Sequence, residues 1–222
     1  MSNDEQVIEI DYYSDVLCVW AWIAQPRLDE LYRQWGDRLR LRHRFVDIFG
    51  DARQKIPDSW GQDDGFQKFH EHVAHSATPF DESEIHPDIW TVCRPRSSMQ
   101  PHLLLRAVGL AAGEKAMENM ALRIRQAFFC DGKDIGQMPL LLELAAEQAL
   151  DASELRQHLE DGSALAALSS DLRSANQLGV RGSPTWILNN GRQVLYGNVG
   201  YRILASNIEE LLRHPGDDAS WC

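Results

Sequence analysis

The sequence predicts an α/β fold whose two ends share one sheet and whose middle is helical. Three observations predict it. The chain opens on a strand-helix-strand pattern, closes on a strand-strand-helix pattern, and between them carries apolar stripes at helical spacing. The reading divides the chain into a sheet domain, residues 1–59 and 179–222, and a helical insertion domain, residues 60–178. The insertion has an ordinary domain size of roughly 120 residues.

The first strand is expected over residues 7–13, where Val7-Ile8-Glu9-Ile10-Asp11-Tyr12-Tyr13 alternates apolar and polar side chains. Ser14-Asp15-Val16-Leu17-Cys18-Val19-Trp20-Ala21-Trp22 follows and leads into a helical pattern marked by Ile23, Leu28, Leu31 and Tyr32. A second strand is expected over residues 40–47, within a run that alternates apolar with basic residues, and the βαβ unit implies a parallel crossover. A polar stretch follows from Gly50 to Asp64, with Pro57, Gly61 and Gly65. From Phe66 to about Leu178 the pattern is helical almost throughout. Leu103, Leu104, Ala107, Leu110 and Ala111 make one stripe; Met117, Met120, Ala121, Ile124, Ala127 and Phe128 make another. A third, Leu140, Leu141, Leu144 and Ala145, starts at Pro139, and proline is tolerated in a first helical turn. Asp151-Ala152-Ser153-Glu154 is a helix-start signature, and Gly179 is a stop. Strands at 185–188 and 193–196, joined by the turn Asn189-Asn190-Gly191, precede a last helical pattern from Ile203 to Leu212.

Charge and composition narrow the function. The 33 acidic residues outnumber the 22 basic ones, leaving a net charge of −11, and a nucleic-acid binder would need a basic face. No run of 18 apolar residues is present, so no membrane span is expected. The start, Met1-Ser2-Asn3-Asp4-Glu5-Gln6, lacks the pattern of a secretory leader, which points to a cytoplasmic protein with reduced thiols. Cys18, Cys93, Cys130 and Cys222 are far apart and show no zinc-type spacing, so no metal is expected. His70, His72 and His75 are read as a solvated helix rather than a metal site, because only His72 and His75 share a helical face. Cys222, the last residue, is expected to be solvated or frayed.

Cys18 carries the chemical reading. A cysteine between a strand and a helix sits at the helix N-terminus, where free N–H groups favour a thiolate, so its pKa is expected below the roughly 8.5 of a free cysteine. Completion of a C-x-x-C pair would require a cysteine at position 21, and position 21 is alanine. Intramolecular resolution of a mixed disulfide from within the motif is therefore unavailable.

With Val180-Arg181-Gly182-Ser183-Pro184-Thr185-Trp186 at the far end, the chain resembles the DsbA-like branch of the thioredoxin superfamily. Asp15-Val16-Leu17 before Cys18, with Trp20 and Trp22 after it, is similar to the motif of kappa-class glutathione transferases and 2-hydroxychromene-2-carboxylate isomerases, which carry a serine at the cysteine's place. FrnE-like members keep a full C-x-x-C. The resemblance covers about 45 residues N-terminally and 35 C-terminally; in the helices only Phe128-Phe129 and Asp134-Ile135 echo the family. It implies a thioredoxin-like domain (βαβ…ββα) with a helical lid, Cys18 as nucleophile, and a cis Ser183–Pro184 bond facing it. It further implies that Ser183 donates to the thiolate and that glutathione is the cosubstrate. Trp20 is a candidate wall of the substrate site. Asn198 stands near where relatives place an acid that binds glutathione, in a stretch, Gly197 to Arg202, that has no acid of its own. Cys130, before Asp131-Gly132-Lys133, is read first as a core or loop cysteine and second as a distant resolving thiol.

Three functions follow: a monothiol, glutathione-dependent thiol-disulfide oxidoreductase; a glutathione transferase or isomerase; or a non-catalytic peptide- or ligand-binding module. The expected partner is a small thiol or disulfide, with a homodimer left open.

Overall fold

The computed structural model describes residues 7–81 and 83–216; the expectation for Cys222 lies outside the described residues. Four strands form one sheet in the order β2-β1-β3-β4, with β1 Ile8–Ser14, β2 Leu39–Phe45, β3 Thr185–Leu188 and β4 Gln193–Tyr196. The β1–β2 pair is parallel, and β1–β3 and β3–β4 are antiparallel. Both outer pairs agree with the strand-helix-strand start and the hairpin finish. The boundaries move slightly: Val7, Val46 and Asp47 lie outside the strands, and Ser14 joins one.

The alternation in β1 and β2 is a two-faced code. Ile8, Ile10 and Tyr12 face one way with Leu39 and Leu41, and pack under α2 (Gln25–Trp35) and α10 (Tyr201–Arg213) through Leu28, Leu31, Leu204, Ile208 and Leu211. On the other face the register sets Glu9 opposite Arg40 and Asp11 opposite Arg42. Arg42 Nε donates to Asp11 at 2.8 Å and Arg40 to Glu9 at 3.2 Å, so the basic positions of β2 are answered by the acidic ones of β1.

The short helix α1 (Val19–Ile23) is separated from α2 only by Ala24. Pro26, in the first turn of α2, lacks the N–H and its ring crowds the preceding turn, so one continuous helix is not formed. Among the described residues, seven further helices lie between the two halves of the sheet: α3 (Ala52–Trp60), α4 (Gly65–Ala77), α5 (Met99–Ala112), α6 (Glu114–Phe129), α7 (Met138–Glu147), α8 (Ala152–Glu160) and α9 (Ser163–Gln177). Their core is continuous with α1: Val16, Leu17, Val19, Trp22 and Ile23 belong to the same apolar cluster as Leu104, Leu105, Met120, Ile124 and Leu144. The helix carrying the key cysteine is thus packed by the insertion.

One helix goes unread in the sequence, and one helical expectation is corrected. The stretch from Gly50 to Asp64 contains α3, capped by Asp51, whose carboxylate accepts from the Gln54 amide at 3.3 Å. It buries only Ala52 and Ile56, and Pro57 lies inside it, so neither periodicity nor composition shows a helix. Conversely, residues 78–81 and 83–98 are not helical; prolines at 79, 87 and 95 break the run, and Pro95 disfavours a helical conformation at Arg94.

Candidate active site

The strand β1 ends at Ser14, and the next four residues turn the chain into α1. Asp15 organises that turn. Its carboxylate accepts from the Leu17 amide at 2.9 Å, the Phe49 amide at 2.8 Å and the Ser98 hydroxyl at 2.8 Å. One buried side chain so joins the turn to the loop after β2 and the start of α5. Burial pushes the Asp15 carboxyl up from 3.8 to about 6, even though the Phe49 and Leu17 amides, the Ser98 hydroxyl and the Arg125 charge all favour its anion. His102 Nε2 lies 3.8 Å from Asp15, but this is not an ion pair: Nε2 accepts from the Val16 amide at 3.1 Å, and burial holds His102 neutral at about 3.

Cys18 is the N-cap residue of α1, as its strand-to-helix position predicts. Its Sγ is held against the Ser183 loop, with the thiol donating to the Ser183 carbonyl at 3.1 Å. The Ser183–Pro184 peptide is cis. The Ser183 hydroxyl accepts from the Asp15 amide at 2.8 Å, so the loop is tied to the cysteine turn at two points. The loop itself is aimed by the end of α9. Gly179 adopts φ +68, its amide donates to Asn176, and the Val180 amide donates to Ala175 at 2.8 Å. This pair of bonds closes a Schellman cap, with Val180 packing near Ala175, and delivers Arg181 to Pro184 beside α1.

The expected low pKa is overturned. Burial pushes the Cys18 thiol up from 9.0, and Asp15 adds to that push; hydrogen bonds with Ser183 and with the Ala21 and Trp20 amides oppose it without reversing it. The reason is tertiary. Cys18 is only 6% exposed, a five-residue helix has a small dipole, and a carbonyl that accepts the thiol's hydrogen bond stabilises the neutral form. Cys130, at the end of α6, and Cys93 are raised too, Cys93 to about 12, chiefly by burial and then by nearby carboxylates. All three are free thiols.

Trp20 is half-buried against the insertion's core. Trp22 is buried instead, stacked on Phe129 at 5.7 Å with its indole N–H donating to the Glu84 carbonyl. Asn198 is exposed, next to Gly197, whose amide donates to the Pro184 carbonyl at 2.8 Å. The histidines of α4 diverge: His70 Nδ1 meets the Ile89 carbonyl at 2.8 Å, and His72 packs on Trp60 at 4.9 Å rather than standing in solvent. Among the described residues, no helix is long and apolar enough to cross a membrane.

Arg125 is the residue sequence reading misses. It is fully buried on α6, and its Nη2 donates to the Ser14 hydroxyl at 2.9 Å, four residues before Cys18. A signal was present: position 125 lies on the apolar stripe between Ala121 and Phe128, where a charged residue is rarely buried without a task.

Comparison with known proteins agrees with the fold. Among characterised relatives, the ClpXP adapter protein SpxH of Halalkalibacterium halodurans is 24% identical over 214 residues, covering 92% of this chain and 68% of that protein. Among solved structures, a putative protein disulfide isomerase from Nitrosomonas europaea superposes with a TM-score of 0.78 at 14% identity, covering 95% of this chain and all of that one. The cytosolic disulfide reductase DsbM from Pseudomonas aeruginosa gives 0.66 at 23% identity, covering 90% of this chain and 98% of its own, and is also known with GSH. The family model of the DSBA-like thioredoxin domain matches residues 9–209, both ends of the sheet and every insertion helix, and the chain belongs to that family.

Proposed function

We propose that this chain is a monothiol thiol-disulfide oxidoreductase that works with glutathione, in the cytoplasm, on a small thiol or disulfide. The observation that carries the reading is the Cys18 sulfur held against the Ser183 loop while position 21 carries alanine. In the exchange, the Cys18 thiolate attacks one sulfur of a disulfide R–S–S–R. The Cys18–S–S–R bond forms as the old bond breaks, and the electron pair leaves with RS⁻, which takes up a proton. Glutathione thiolate then attacks the R sulfur, forming GS–SR and returning Cys18. Glutathione is the reductant, supplying the thiol that Ala21 does not. Trp20 walls the approach, and Asn198 offers a polar contact to the peptide part of glutathione.

The test is oxidised glutathione followed by mass spectrometry. The expected result is one glutathione adduct on Cys18, absent in Cys18→Ser. Glutathione held without a covalent bond, with Cys18 free, would replace this reading with transferase or isomerase chemistry.

A second reading has an observation of its own. The nearly buried, pushed-up thiol suits a surface that binds proteins without exchange, and the SpxH relatives are named as adapters. It predicts no adduct, together with protein binding that survives Cys18→Ser.

A further inference from the structure

A group of polar side chains is buried beside the strand and turn that lead to Cys18. Tyr12, Ser14, Asp15, His43, His102 and Arg125 are all buried, and they come from β1, the turn after it, β2, α5 and α6. Their mutual bonding is incomplete. Among the described residues, the Tyr12 hydroxyl, both His43 nitrogens, His102 Nδ1, and Nε and Nη1 of Arg125 have no hydrogen-bond partner. Buried groups are normally satisfied, and a buried guanidinium without a carboxylate beside it is costly. So many unpartnered groups in one buried cluster call for an explanation in chemistry rather than packing.

The charges can be assigned. Burial, with the nearby arginines, holds His43 and His102 neutral at about 3, and burial keeps the Tyr12 phenol protonated well above its ordinary range. Arg106, which also faces the two histidines, is committed to Asp171; Lys115, which faces His43, is committed to Glu118; Arg27, which faces Tyr12, lies over the Phe80 ring. The side-chain hydrogen bond of Arg125 among the described residues goes to a neutral hydroxyl, and its charge is felt by Cys18, Asp15 and Tyr12.

We propose that Arg125 is a positioning residue for Cys18: its guanidinium supplies the buried countercharge that the sulfur needs when the thiol proton leaves. The proposal rests on Cys18 being the reacting thiol. It accounts for why a sulfur facing a carbonyl, with Asp15 close by, is still usable: Asp15 and the Cys18 thiolate draw on one cation, and the short α1 contributes only its amides. It also accounts for Nε and Nη1, which have no hydrogen-bond partner among the described residues while the thiol is neutral.

The experiment follows alkylation of the Cys18 peptide by iodoacetamide from pH 6 to 10, in the full chain and in Arg125→Met and Arg125→Lys. In Arg125→Met the midpoint should move up by about one pH unit, so that the rate at pH 7 falls about tenfold. Arg125→Lys should retain most of the wild-type profile. An unchanged profile in an Arg125→Met protein that melts like the wild type overturns the proposal. Should Arg125→Met fail to fold, the wild type decides: the Nε ¹⁵N resonance of Arg125, assigned by its loss in Arg125→Lys, should titrate with the midpoint of Cys18 alkylation and lie flat in Cys18→Ser. A flat wild-type titration overturns it. The exchange reading fails separately: a Cys18 that takes no glutathione yet shifts with Arg125 ends that reading and supports this one.

Discussion

At the scale of single residues, Cys18 and Ala21 set the chemistry and their neighbours set its strength. Ala21 is buried, and its amide both donates to the Cys18 carbonyl and faces the sulfur. Ala21→Cys should complete a C-x-x-C pair and form an internal disulfide on mild oxidation, read as the loss of two thiol hydrogens in the intact mass. A larger side chain at that buried site should also lower stability by about 1–3 kcal/mol. A chain that stays fully reduced would show that position 21 does not face the sulfur as the motif implies. For the wild type, the alkylation profile of Cys18 should rise only above the ordinary thiol range, because burial and Asp15 oppose the anion. A midpoint below 8 would mean that Arg125 and the amides outweigh them. The position of Cys18 at a helix start was legible from the change of period after Tyr13. Its pKa was not, since exposure and the facing Ser183 carbonyl arise from chain segments about 165 residues apart.

Among the elements, the contact of α9 with the sheet matters most for holding the insertion over the site. Asp171 of α9 accepts from Arg106 Nε of α5 at 2.6 Å and from the Phe45 amide of β2 at 3.2 Å, with Arg44 at 3.4 Å. Arg106 Nη2 meanwhile donates to the His43 carbonyl at 2.9 Å. Asp171→Ala should leave the Arg106 charge buried and unpaired, at a cost of about 3–5 kcal/mol, measured by urea unfolding. A loss under 1 kcal/mol would show that the pair is dispensable. Because α9 also ends in the cap that aims the Ser183 loop, the same variant should slow reaction at Cys18. The stop at Gly179 was readable because glycine takes φ +68 without strain. The helix α3 was unreadable because a nine-residue helix with two buried positions and an internal proline has almost no pattern to read.

For the whole molecule, the buried titratable groups dictate the acid limb of stability. His43 and His102 have folded pKa values far below 6.5, so the native state resists protons that the unfolded chain accepts. Their stability is fully present above about pH 6.5 and is lost as pH falls toward 3, roughly 2 kcal/mol per histidine by pH 5. Asp15 works the other way. With its folded pKa raised to about 6, the native state holds a proton that the unfolded chain releases, so between 3.8 and 6 acidification favours folding, by about 1 kcal/mol between pH 7 and 5. The two histidines outweigh it, and Tm should fall from pH 7 to pH 5. His43→Leu should flatten that fall and cost little at pH 7, since both ring nitrogens of His43 are unpartnered. An equally steep fall in His43→Leu would place the acid sensitivity elsewhere.

The sequence by itself determined the strands, most of the helices and the candidate nucleophile, because these rest on local period, turn residues and the spacing around Cys18. It also determined that a second cysteine is missing from the motif. Tertiary structure alone decided which charges meet. Arg125 reaches Ser14, Asp15 reaches Phe49 and Ser98, and Ser183 reaches Cys18 only when segments from both ends and the insertion share one core. Burial there reverses the thiol's expected shift, because desolvation depends on what surrounds a group in space, which local sequence does not encode.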